Sequence, residues 1–131
     1  MRRFSIWLLL LALAGFCADR ELAGRYAGEW KSGSSGNGGA FRMTLEPAAD
    51  GTWKCEASFF LDGAEIKTTT HHIKLQDSKL DVSYDFEIEG AALRSHMTGE
   101  WNGGTFSGRY ETALAAGDAV DAGTWTATRA K

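Results

Sequence analysis

Few side chains in this chain have the types and spacing that chemistry requires. His71 and His72 are adjacent, and His96 is the third histidine. A zinc site needs three or four ligands converging on one point. Neighbouring residues of a strand face opposite sides, so His71 and His72 share a metal only where a bulge turns them together. No His-x-His or Cys-x-x-Cys spacing supplies the missing ligands. The three histidines read as surface or bulge residues, and no metal is expected. Asp81, Asp85, Glu87 and Glu89 form an acidic row. Carboxylates about 5–10 Å apart cleave glycosides when they flank a cleft. These instead follow the polar side of a strand, where such a row is a solvated face that also discourages edge pairing. Gly33-Ser-Ser-Gly36 lacks the spacing of a nucleophile elbow, and no phosphate-binding loop or cofactor motif is present. Cys55 shares its parity with Trp53, Ala57 and Phe59. It reads as a small buried hydrophobe, with no base to activate its thiol. A hydrolase-type enzyme is accordingly the third reading, and the chain is expected to be non-catalytic.

The elements that must position these groups are strands. In Lys79–Glu89, KLDVSYDFEIE, the residues Leu80, Val82, Tyr84, Phe86 and Ile88 alternate without a break with polar ones. That is a strand with one dry face. The same alternation predicts eight strands: Arg25–Lys31, Ala40–Glu46, Thr52–Leu61, Ala64–Leu75, Lys79–Ile88, Ala92–Glu100, Thr105–Thr112 and Gly123–Arg129. Asp50-Gly51 and Asp62-Gly63 are tight-hairpin signals, and most links are too short for a crossover helix. In the fourth strand Ile66 is even while Ile73 and Leu75 are odd. A one-residue slip of this kind is what a β-bulge produces, and it falls near Thr70–His72. Ser32–Gly39 reads as a flexible loop without an anchor, and the alanine-rich Ala113–Ala122 as a connection with room for a short helical turn. The expected fold is all-β, an eight-stranded antiparallel up-and-down meander. It closes, or nearly closes, into a barrel, with a two-sheet β-sandwich as the alternative.

Residues 1–18 are expected to lie outside that fold. Arg2 and Arg3 precede the uncharged, mostly apolar run Phe4–Phe16, and small residues follow at Gly15, Cys17 and Ala18. The run is shorter than the roughly 20 residues a membrane-spanning helix needs. The layout is that of a secretory signal peptide cleaved near Cys17 or Ala18, which implies a secreted or periplasmic protein with residues 19–131 as a single domain. A lipid anchor at Cys17 is disfavoured, because Phe16 stands where a lipobox carries a small residue. Cleavage removes two of the 14 basic residues and leaves 12 against 17 acidic ones, a formal net charge of −5. That balance argues against nucleic acid or an anionic membrane as partner.

Gly28-Glu-Trp30 in the first strand and Arg129 near the end of the last resemble the calycin barrels, the lipocalin and avidin group. The resemblance implies that Trp30 packs across a closed barrel end beneath the Arg129 side chain, a cation–π pair worth about 0.5–2 kcal/mol. The biotin-site pattern of avidin is not recognisable, so no ligand carries over.

An eight-stranded barrel is just wide enough to be filled by side chains or to hold one small ligand. Interior-parity glycines (Gly28, Gly99, Gly108) either open a pocket or make room for tryptophans. If a pocket exists, Tyr26, Trp53, Tyr84, Trp101 and Tyr110 are its expected wall, an apolar surface carrying a few hydroxyls. The leading expectation is a barrel that binds a small apolar or aromatic ligand in its interior. The runner-up is a filled barrel acting as a protein-interaction or structural module.

Overall fold

A computed structural model describes residues 22–130; the expected signal segment, 1–18, lies outside them. Among the described residues, nine antiparallel strands follow one another as a meander: β1 Gly24–Ser32, β2 Gly38–Pro47, β3 Trp53–Leu61, β4 Ala64–Lys67, β5 Thr69–Gln76, β6 Lys79–Ile88, β7 Ala91–Asn102, β8 Thr105–Leu114 and β9 Ala119–Arg129. They form one sheet in the order β4-β3-β2-β1-β9-β8-β7-β6-β5. The first and last strands pair with each other, Trp30 opposite Trp125 and Tyr26 opposite Arg129.

The sheet curls into an open half-barrel, neither the expected closed eight-stranded barrel nor a two-sheet sandwich. The difference arises at the fourth predicted strand, which breaks at Thr68 into β4 and β5. β4 pairs with β3, whereas β5 pairs with β6. Along the line where β5 runs beside β3, no backbone ladder forms among the described residues. Two threonine hydroxyls reach across instead: Thr68 Oγ1 donates to the Ala57 carbonyl at 2.7 Å and Thr70 Oγ1 to the Cys55 carbonyl at 2.6 Å. The register shift between Thr70 and His72 falls where the phase slip placed a bulge.

Two connections also differ from expectation. The alanine-rich stretch holds no helix. β8 runs on to Leu114, β9 starts at Ala119, and a tight turn joins them through a hydrogen bond from Leu114 N–H to the Asp118 carbonyl. The Ser/Gly loop is anchored as well. Ser32 N–H donates to the Asn37 carbonyl and Gly33 N–H to the Ala122 carbonyl. Asp62-Gly63 makes the expected hairpin, with both residues at positive φ (51° and 81°) as a type I′ turn demands.

Alternating residues of every long strand meet inside the curl. Tyr26, Phe41, Met43, Leu45, Leu80, Val82, Met97, Phe106, Trp125 and Ala127 are at most 2 % exposed. Gly99 has a packing role here. A Cβ on it would stand 2.5 Å from Cζ2 of Trp125, so the missing side chain is the space the indole fills. Trp125 Nε1 donates to the Thr98 carbonyl at 3.0 Å, which fixes the ring there.

Candidate functional site

One end of the curled sheet is plugged and the other is hollow. At the plugged end, the Tyr26 hydroxyl donates to the Leu22 carbonyl at 2.7 Å, and its ring meets Phe106 edge-on at 5.1 Å. Burial pushes the Tyr26 hydroxyl above its ordinary pKa, against the opposing pull of Arg129 and the Trp101 indole. The Arg129 guanidinium lies 5.9 Å from the centre of the Trp101 ring. The cation–π pair implied for Trp30 is therefore made by Trp101. The reason is topological: Trp30 stands near the far end of β1, while Trp101 ends β7 beside the close of β9.

The hollow end holds a cavity of about 240 Å3. Its aromatic wall is a continuous chain of rings. Tyr110 meets Trp30 at 6.2 Å, Trp30 meets Phe59 at 6.0 Å, Phe59 meets Phe86 at 5.1 Å and Phe86 meets Tyr84 at 6.0 Å. All but the tilted Phe86–Tyr84 pair are edge-to-face, the arrangement that ring quadrupoles favour. Trp30 is pinned by Nε1 donating to the Phe60 carbonyl at 3.0 Å.

A row of polar groups completes the lining. Tyr84 stands opposite Ser95, Ser95 opposite Thr112, and Thr112 opposite Asp121, so one lateral line crosses β6, β7, β8 and β9. All four residues line the cavity. The Ser95 and Thr112 hydroxyls hydrogen-bond to each other and are buried. Burial pushes the Tyr84 hydroxyl up to about 12, with Ser95 drawing it partly back. At the mouth, Asp121 Oδ2 accepts the Tyr110 hydroxyl at 2.7 Å. Burial first, then the neighbouring carboxylate, raise Tyr110 well above its usual range. Asp121 Oδ1 accepts from Ser32 Oγ at 2.7 Å and from Ser34 Oγ at 3.3 Å. The Ser32 oxygen in turn accepts the Ser34 and Ser35 N–H groups. The Ser/Gly loop is thereby folded down onto the carboxylate.

Two local features give Asp121 this position. The register shifts by one between Thr112 and Ala113, leaving Val120 as the extra residue of β9. Such a bulge re-aims its neighbours, and the adjacent Val120 and Asp121 both line the cavity. Gly123 clears the path of Tyr110: a Cβ there would stand 2.8 Å from the tyrosine hydroxyl and 2.0 Å from the Lys31 carbonyl.

No family model, curated protein or solved structure matches this chain.

Of the five residues expected to form the wall, Tyr84 and Tyr110 line the cavity. Tyr26, Trp53 and Trp101 sit at the plugged end and are not among the lining residues. Ser95, Thr112 and Asp121 line the cavity without belonging to the expected wall, although the first two lie on the interior parity of predicted strands. The interior glycine Gly99 makes room for a tryptophan rather than for a guest. Cys55 is buried, and burial pushes its thiol up to about 12, with Thr70 lowering it and Glu56 raising it. On the outer face Asp85 accepts two hydrogen bonds from Arg94 at 2.6 and 3.2 Å, and Asp81 contacts His96 Nε2 at 2.8 Å. The Arg94 hydrogen bonds hold the Asp85 carboxyl below its usual range. His71 and His72 are exposed. Among the described residues no three His, Cys, Asp or Glu side chains converge as a metal site, and no helix is long and apolar enough to cross a membrane.

Proposed function

We propose that this chain is a secreted or periplasmic, non-catalytic β-protein that binds one small apolar or aromatic molecule inside its curled sheet. The cavity is the observation that carries the reading. Its volume of about 240 Å3 exceeds the roughly 150 Å3 of an apolar cavity that takes up benzene. Its walls are mostly rings and aliphatic groups with a few fixed hydroxyls, the composition of a small-molecule site. The charge layout and apolar run of residues 1–18 support export. A calycin-like fold remains part of the proposal, supported by the meander and the β1–β9 pairing.

Titration with 2-phenylethanol tests the reading, followed by the fluorescence of Trp30 and Trp125 and by native mass spectrometry. A molecule of this size, at about 0.6 kcal/mol per heavy atom, binds with a Kd of about 0.1 mM. Saturable one-to-one uptake is the expected result. No uptake of this alcohol or of comparable one-ring molecules would overturn the proposal and favour a protein-interaction or structural role.

A further inference from the structure

We infer that the guest is a small organic cation, an amine on an aromatic or aliphatic body, and that Asp121 is the group that selects it. This rests on the cavity being a binding site and deepens that reading. Among the described residues, Asp121 is the one lining the cavity that carries a formal charge. Among the described residues it forms no ion pair with Lys, Arg or His. Its three protein partners, Tyr110, Ser32 and Ser34, are all hydroxyls. A carboxylate offers about four acceptor positions. Three are taken, which leaves room for one more donor while the negative charge stays unbalanced.

The carboxylate is held in place before any ligand arrives. The Ser32 oxygen takes the Ser34 and Ser35 N–H groups, which commits its proton to Asp121. The Tyr110 hydroxyl fixes the other carboxylate oxygen. A preset acceptor loses little entropy when a ligand binds.

The surrounding rings add attraction of the same sign. Tyr110 is hydrogen-bonded to Asp121, and Trp30 lies 6.2 Å from Tyr110. Aromatic faces are negative and draw cations within about 6 Å. Phe41, Phe59 and Phe86 elsewhere in the wall are apolar and suit the body of the molecule. Anions, fatty acids among them, meet an unbalanced carboxylate at the mouth and are rejected.

The test compares three ligands of near-equal shape on the purified chain: 2-phenylethylamine, 2-phenylethanol and 3-phenylpropionate. The amine is expected to bind about tenfold more tightly than the alcohol, and the propionate more weakly than either. The Asp121→Asn substitution should remove the amine's advantage over the alcohol. A second measurement needs no variant. Raising the salt from 20 to 500 mM should weaken amine binding several-fold and leave the alcohol unchanged. Equal binding of amine and alcohol, or an amine preference that survives D121N and high salt, would overturn the cation inference while leaving the cavity reading intact. Failure of all three ligands to bind would overturn both.

Discussion

The buried hydroxyl row makes a prediction that separates its members. Ser95 and Thr112 hydrogen-bond to each other, are 2 % and 8 % exposed, and stand beside Tyr84. Ser95 is the middle member, opposite Tyr84 on one side and Thr112 on the other. Ser95→Ala therefore strands the Thr112 hydroxyl and removes the oxygen that draws on Tyr84. A buried polar group left without a partner costs about 1–3 kcal/mol, so the loss should be about 2 kcal/mol. For a domain of this size that lowers Tm by about 10 °C. Thr112→Val keeps the shape of its side chain and leaves Ser95 with Tyr84 as neighbour, so its cost should be about 1 kcal/mol. The double variant replaces both partners by apolar groups and should fall well short of the sum of the two single losses. The assay is urea denaturation of the four proteins, read as a double-mutant cycle. Additive losses, or an Ser95→Ala change below about 0.5 kcal/mol, would mean that solvent in the cavity satisfies these hydroxyls. The row would then contribute nothing as a unit.

Three further outcomes follow from the packing and the titrating groups. Gly99→Ala forces the Trp125 ring from its place, since the new Cβ would lie 2.5 Å from it. The change should cost about 1–3 kcal/mol and alter near-UV circular dichroism, and an unchanged spectrum would contradict the packing. Tyr84 and Cys55 are both raised to about 12, from ordinary values of 10.0 and 9.0. The fold favours their protonated forms. Stability is therefore fully present below pH about 9 and is lost as pH climbs to about 12, by an amount on the order of 5 kcal/mol. Urea midpoints across that range measure the loss, and a flat profile would refute the burial. Cys55 should resist thiol reagents in the native protein and react only as fast as the molecule opens. Rapid labelling under native conditions would show that it is not enclosed.

Much of the architecture was legible because a strand with one dry face writes itself as alternation. Lys79–Glu89 became β6 with its five apolar residues inward, and the parity slip in the fourth strand marked a real bulge. The break at Thr68 was not legible. Nothing in residue type distinguishes a strand that bends from one ladder to another from a strand that continues, and the decision rests with long-range pairing to β3 and β6. The site was half legible. Tyr84 and Tyr110 followed from parity. Ser95 and Thr112 lay on the same parity and were passed over because polar residues carry no weight in a search for apolar interiors. Asp121 could not be reached by counting, since the bulge at Val120 and the extension of β9 to Ala119 set its direction. Tyr26, Trp53 and Trp101 fall at the plugged end for a simpler reason: alternation tells in from out, but not which end of a curl is hollow.

The stitching of β5 to β3 by Thr68 and Thr70 has a mechanical consequence. Two edges held by side-chain hydroxyls give way more readily than two joined by a ladder, so amide hydrogens there should exchange with solvent ahead of those in β1, β8 and β9. That seam is where the curl opens first. With a single residue between β4 and β5 to act as pivot, it is also the line along which two copies would trade halves at high concentration.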